Sequence, residues 1–473
     1  MADRLDALAA EVRESLRKLG EPAPNWPATP SDCDADVLIV GAGQSGIAAA
    51  FGLMRIGVRN IRVVSADPIG REGPWRTIAR MPTLRSPKQA PGPELGLPAL
   101  AYESWHVARY GQASYDALDL IPTGHWADYI DWVRAATGIA VTAGWRMTGL
   151  AGMGDRVVAR FEDGASLAAR QVVLATGMDA LGGPRRPHEF ANLPEDRALN
   201  AYADIDFSRL EGERIAVIGA ASTAFDNAAA ALEAGAASVD LFCRGPKLKT
   251  INHMKGVQSY GAVAHWADFD DAARWRFAIL GASRAAPPTG PTVARATRWP
   301  NFRILLNAAV EGVEVKGGSI RIATAGRARD YDRLIVAAGY ALAPDTRPEL
   351  AAVVKQMARW RDRYVPPADL RNDDLAAYPY LDPGFAFTER DPGAAPWLAR
   401  VRLFAGPAVV SMGRISGESG NLKYGVPRLV QAIARALAEE DRDCLYDRAA
   451  AYAVPETDFA DYADHARDAG SPD

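Results

Sequence analysis

The sequence predicts an α/β fold in which two strand–turn–helix–strand units of the nucleotide-binding kind are nested in one chain, behind a helical N-terminal leader. Three observations predict it. A glycine-rich turn follows an apolar strand directly at 35–46, a weaker copy of that arrangement stands at 214–224, and apolar strands end in Ala-x-Gly at 172–177 and 334–339. The 473 residues, 48% hydrophobic and 24% charged, are enough for two or more cores.

In chain order, Leu5, Leu8, Val12 and Leu16 recur at helical spacing, so 3–19 reads as an amphipathic helix that stops at Gly20 before a proline-rich linker. Such a helix packs on the body or joins copies of the chain, and a homodimer or other homo-oligomer is expected. Next, Ala35–Val40 reads as a buried strand, Gly41-Ala-Gly43-Gln44-Ser45-Gly46 as its turn, 47–57 as a helix and 61–64 as the second strand. This is the Rossmann fingerprint in its required setting. Gly41 allows the tight turn, Gly43 lets backbone N–H groups approach a pyrophosphate beside Gln44 and Ser45, and Gly46 lets helix and strand close up. Ser65 stands where an acid ordinarily binds the ribose, with Asp67 two residues on.

The second unit runs from strand 214–219 through Gly219-Ala-Ala-Ser222-Thr223-Ala224 and helix 225–234 to strand 238–243, with alanines in place of the second and third glycines. Its last strand runs into Arg244, Lys247 and Lys249, a basic set suited to the 2′-phosphate of NADP. A chain that binds two dinucleotides passes hydride from a nicotinamide to a flavin. The segments 172–177, 334–339 and 401–406 are assigned to the flavin side, at Gly177, Gly339 and Gly406.

The expected organisation is a leader over 1–30, an FAD-binding part over 31–180, an NADPH-binding domain over 181–334 with an insertion at 255–300, a second FAD-binding part over 335–445, and a tail over 446–473. Trp266, Trp275 and Trp299 mark the insertion as a lid or oligomer contact, or else as core. Net charge is −4 without a basic stripe, which argues against nucleic acid. Cys33, Cys243 and Cys444 form no Cys-x-x-Cys pair, so a zinc site, a disulfide framework and a dithiol reductase are disfavoured and a cytoplasmic setting is expected. No stretch approaches a membrane span.

Further motifs carry a resemblance. Gly70-Arg-Glu-Gly-Pro-Trp75 resembles the Gly-Gly-x-Trp turn that class B flavoprotein monooxygenases set against FAD. The run Asp332-Arg-Leu-Ile-Val-Ala-Ala-Gly339-Tyr340 is similar to that of their N-hydroxylating branch, and the Phe-x-Gly-x-x-x-His fingerprint of the Baeyer–Villiger branch is absent. Segments 71–75, 83–88, 224–227 and 420–425 look like the aspartate N-monooxygenases.

The resemblance implies FAD, NADPH and O₂ as reactants, with O₂ trapped as a flavin C4a-hydroperoxide that a neutral amine attacks. The implied substrate is the amine of a small amino acid, with L-aspartate, converted to N-hydroxyaspartate and on to nitrosuccinate, as the narrower expectation. Oxygenation of sulfur or a ketone, or a substrate-less NADPH oxidase or redox sensor, is the alternative. Trp75, Arg85 and Tyr340 are implied cofactor contacts. Asn421 and the backbone from Tyr424 to Val426, opening a helix expected over Pro427–Leu437, are expected to face the flavin pyrimidine, and Lys423 just ahead of that helix is a further implied cofactor contact. Arg85, Asn252 and Lys255 are the expected catalytic residues. Arg85 and Lys255, together with Lys88 and Lys423, are the candidate cationic clamps, since a small dianion leaving water needs cationic partners, while Asn252 and His253 would position the amine or the nicotinamide amide. No metal cluster is expected.

Overall fold

The computed structural model describes residues 2–284 and 286–470, so Ala285 of the expected insertion and 471–473 of the expected tail lie outside the described residues. Strand Ala35–Val40 is buried at all six positions because it lies inside a sheet covered on both faces, where a continuous apolar run belongs. It pairs in parallel with Ile61–Val64 on one side and with Ser166–Leu174 on the other. The long strand Ser166–Leu174 is then shared. Its first half pairs antiparallel with Arg156–Phe161 and its second half pairs in parallel with Val401–Leu403, which returns from the far end of the chain to complete a seven-stranded sheet.

A five-stranded parallel sheet, in the order 198–200, 333–336, 214–218, 238–242, 302–305, forms the second nucleotide-binding body. The expected flavin assignment of 334–339 is therefore corrected: Arg333–Val336 is a central strand of this second sheet. Strands Gly182–Pro184 and Tyr340–Leu342 pair antiparallel, so the outgoing and returning chain cross between the bodies side by side. Asp332 of the resemblance run accepts from the Arg214 backbone at 2.8 Å and from its guanidinium, and so ties adjacent strands together.

The leader is helix Ala2–Lys18, and its Leu8 and Val12 are buried within the chain's own core. The last long helix, Leu422–Glu440, starts five residues before the expected Pro427. Its first turn forms there because Gly425 lies against the Ile415 carbonyl, a contact that leaves no room for a side chain. Its other end is held by Arg170, which is 1% exposed and pairs with Asp36 at 3.2 Å, Glu440 at 3.0 Å and Asp441 at 2.7 Å. Burial alone would lower the Arg170 pKa, but the Asp441 and Glu440 carboxylates hold it above its ordinary value.

The tryptophans of the 255–300 segment are core rather than lid. Trp275 is 1% exposed, donates to the Leu370 carbonyl at 2.8 Å and packs on Trp360, while Trp266 donates to the Val410 carbonyl at 3.2 Å. Trp299 is partly buried against the core of the second sheet. Among the described residues no helix is long and apolar enough to cross a membrane.

Candidate active site

The first turn is built as its glycines demand. Gly41 has φ +107°, and a Cβ there would overlap the Ala175 carbonyl, while a Cβ on Gly46 would overlap the Gly41 carbonyl. The space over Gly43 is different, because its nearest neighbour is Gly73 Cα at 3.9 Å across an open cradle. Helix Gln44–Arg55 has no side-chain cap, so its first N–H groups remain available to an anion. The Gln44 and Ser45 side chains are engaged within the chain itself. Gln44 bridges the Trp126 indole and the Gly417 carbonyl, and Ser45 donates to the Ser416 carbonyl at 2.8 Å, stitching the returning chain to the turn.

Ser65 is buried and its hydroxyl accepts from the Asp67 backbone at 3.1 Å, which leaves only its O–H for a ribose. Trp75 stands edge-on to Trp126 at 6.4 Å, with its indole N–H buried and unpartnered. Asn421 is spent on the Arg414 carbonyl and on Glu418, Lys423 lies over the Tyr424 ring, and Tyr424 meets Tyr260 of the inserted segment.

The second turn mirrors the first. Gly219 has φ +130°, and a Cβ there would overlap the Ala337 carbonyl. Helix Ser222–Glu233 starts at Ser222, also without a side-chain cap, and Thr223 meets the half-buried Tyr202, which stacks obliquely on Tyr340 at 4.4 Å. Gly177 and Gly339 both have φ +83°, each two residues beyond the alanine that abuts its turn. Arg244 and Lys247 are exposed and, among the described residues, pair with no carboxylate.

Between the two bodies lies a cavity of about 580 Å³. Strand Thr83–Pro87 forms one wall, with Arg85, and helix Gly290–Thr297 forms the other, with Arg295. Lys255 and Arg298 complete a lining of four cations against a single carboxylate, Glu233. Arg295 grips Glu233 at 2.6 Å and donates to the Arg80 carbonyl, and Arg298 reaches Glu233 at 2.8 Å. Behind the wall, Asp226 is 4% exposed and takes Arg85 at 2.5 Å. Burial pushes its carboxyl above the ordinary value, against the pull of Arg85 and Arg295.

Residues 38–179 match the family of FAD-NAD(P)-binding proteins. The chain is 36% identical over 449 residues to the FAD-dependent urate hydroxylase of Xanthomonas campestris pv. campestris, covering 94% of this chain and 95% of that one. The chain belongs to the FAD-dependent hydroxylase family.

Solved flavin monooxygenases share its fold. L-lysine 6-monooxygenase from Pseudomonas syringae aligns with a TM-score of 0.66 at 16% identity, over 85% of this chain and 99% of that one. The ornithine N-hydroxylase of Kutzneria sp. 744 aligns with 0.65 at 16% identity over the same shares. An aspartate N-monooxygenase gains no support from these relatives.

The hydroxylase is thus a flavin-dependent oxidoreductase of two dinucleotide folds, and its turns fit their cofactors. The open cradle over Gly43, the uncapped helix and the free Trp75 N–H suit FAD, and the uncapped helix at Ser222 with Arg244 beyond suits NAD(P). Of the expected clamps, Arg85 and Lys255 line the cavity, whereas Lys88 donates to the Tyr115 carbonyl at 2.8 Å and Lys423 lies over Tyr424; Asn252 precedes the short helix His253–Val257 that carries Lys255. The sequence reading missed Glu233, Arg295 and Arg298. One signal was available for the acidic pair, because Asp226 and Glu233 stand seven apart, on one face of an otherwise alanine-rich helix.

Proposed function

We propose that this hydroxylase oxygenates a small anionic heterocycle of the urate class, using FAD, NADPH and O₂. The observation that carries the reading is the cationic cavity between the two dinucleotide folds, in a chain that matches a urate hydroxylase along nearly its whole length. Four cations around one carboxylate leave unbalanced positive charge in a partly apolar chamber, where a delocalised monoanion meets both its charge and its flat faces.

Bound FAD supplies two-electron reduction by NADPH and the activation of O₂. The protein contributes the rest: the turns at Gly41 and Gly219 hold the two diphosphates, Arg85 and Lys255 bind the anionic edge of the substrate, and Met81, Leu84 and Pro291 exclude water from its faces. Glu233 keeps Arg295 and Arg298 as fixed charges in the wall.

A second reading, N-hydroxylation of the side-chain amine of an amino acid, is favoured by the Asn252–Lys255 segment at the cavity and by the 332–340 run. Its amine lacks an unshared carboxylate there, since Glu233 already serves two arginines. The test is to load the protein with FAD and follow NADPH, O₂ and substrate with urate, L-lysine and L-ornithine in turn. Urate consumed in step with NADPH is the expected result. Hydroxylamine formed from lysine or ornithine with urate untouched would establish the second reading, and peroxide formed at one rate with every compound would refute both.

A further inference from the structure

We infer that Asp226 is a positioning residue that aims Arg85 into the cavity, so that the anion-binding wall is complete only when the two nucleotide-binding bodies are docked. The inference rests on reading the cavity as the substrate site. Arg85 stands on strand Thr83–Pro87, beside the first sheet, while Asp226 stands on helix Ser222–Glu233 of the second. They meet across the junction at 2.5 Å, through one Nη of Arg85 and Oδ2 of Asp226. That single bond leaves most of the guanidinium's five N–H donors free, and the Arg85 side chain keeps 38% of its exposure on the cavity side.

The other carboxylate oxygen sharpens the argument. Oδ1 of Asp226 is buried without a hydrogen-bond partner, and Arg295 Nη1 lies 3.9 Å away while donating to the Arg80 carbonyl. A carboxylate left short of a partner carries a desolvation cost that an apolar or neutral residue would not, and its packing here gives no other return. What it does provide is a counter-charge between two arginines that belong to opposite walls. Held this way, Arg85 meets a ligand with its fork already oriented, which lowers the ordering cost of binding.

Removing the carboxylate has two opposed effects on an anionic ligand. The cavity gains positive potential, while Arg85 loses its fixed direction. Affinity alone therefore does not separate positioning from simple charge, but the dependence of one residue on the other does.

The experiment uses the full-length FAD-loaded protein and its variants R85Q, D226N and R85Q/D226N. Urate binding is followed by calorimetric titration, and product formed per NADPH is measured in turnover. R85Q is expected to bind urate about 10- to 100-fold more weakly, as for loss of a charge-assisted hydrogen bond. D226N is expected to yield less product per NADPH than wild type. In the R85Q background only the gain in positive potential remains, so D226N there tightens urate binding or leaves it unchanged, whereas with Arg85 present the loss of direction offsets that gain and the two effects of D226N differ.

Equal effects of D226N in both backgrounds, or an unchanged product per NADPH, overturn the inference. If D226N fails to load FAD, D226E carries the test. It keeps the charge but displaces Arg85, so product per NADPH falls at an unchanged melting temperature, and a wild-type ratio overturns the inference. Urate that binds without being oxidised would overturn the proposed function while the double-variant cycle still judges Asp226. Urate that fails to bind wild type overturns both.

Discussion

The two dinucleotide turns of this hydroxylase share one corner and differ at the next. In each, a positive-φ glycine, Gly41 or Gly219, abuts the carbonyl of an alanine, Ala175 or Ala337, two residues before a second positive-φ glycine. At the third glycine position the turns part. Gly46 has no room for a Cβ, because the Gly41 carbonyl sits against it, whereas Ala224 occupies the matching place in the second unit, fully buried. The lesson is that the motif's glycines are not equivalent: the first is demanded by backbone direction in both units, and the third only where helix and strand close to contact.

That comparison can be broken most sharply at its third position. Gly46→Ala drives a methyl into backbone and is expected to cost on the order of 4–5 kcal/mol, with loss of bound FAD, while Ala224→Gly costs roughly 1–2 kcal/mol from helix propensity and a lost buried methyl. Chemical denaturation and FAD absorbance of the purified variants check both numbers. Similar losses for the two would show that the turns are built alike after all.

Buried charge gives the next contrast. Arg170→Met leaves Asp36 and Asp441 unpaired in the first body and is expected to cost about 3–5 kcal/mol. In the second body Arg303, 62% exposed at the side chain, pairs with buried Asp240, which also takes the Tyr331 hydroxyl at 2.6 Å; Arg303→Met leaves one carboxylate rather than two without its ion partner, with that hydroxyl still donating, and is expected to cost less, about 1–3 kcal/mol. Urea midpoints separate the two.

The functional difference between the turns comes third. Arg244→Ala is expected to raise the KM for NADPH about tenfold or more and that for NADH by less than about twofold, as for loss of one contact to a 2′-phosphate. Steady-state kinetics with both nucleotides decide it, and parallel effects would remove the 2′-phosphate from Arg244.

The smallest effect concerns the seam between the inserted segment and the last helix. Asp268 takes Arg428 at 2.7 Å, and chiefly that bond, with His265 assisting, holds its carboxyl below the ordinary value although partial burial opposes the shift. A depressed carboxyl contributes its stability above its unfolded pKa, about 3.9, and loses it as pH falls through the lower folded value. Amide protection over 260–283, corrected for the intrinsic pH dependence of exchange, should therefore fall below about pH 4 in wild type, and Asp268→Asn should show the lower protection already at pH 7. Exchange in the variant that matches wild type at pH 7 would assign the seam to apolar packing alone.

Much of this was legible in the chain itself. The strands at 35–40, 61–64, 214–218 and 238–242 follow from apolar runs bounded by glycine turns, and their helices from the pattern between them. The assignment of 334–339 went to the wrong sheet because its Ala-x-Gly ending is common to both bodies, and a local signal cannot say which neighbour a strand will pair with. Tryptophans 266 and 275 were ambiguous for a similar reason: an aromatic on a short helix packs inward or outward according to what arrives from residues 360–411, far along the chain.

The two turns could be read from the chain alone, because backbone direction and close approach to phosphate are local demands that particular residues at particular spacings satisfy. The sequence also placed Arg85 and Lys255 among the residues available to an anion. Folding brings Arg85 to Asp226 from another body, gathers Arg295 and Arg298 on Glu233, and makes these charges enclose one chamber. Electrostatic partnership depends on distance through space, and residues 85, 226, 255 and 295 share no local pattern from which that distance could be read.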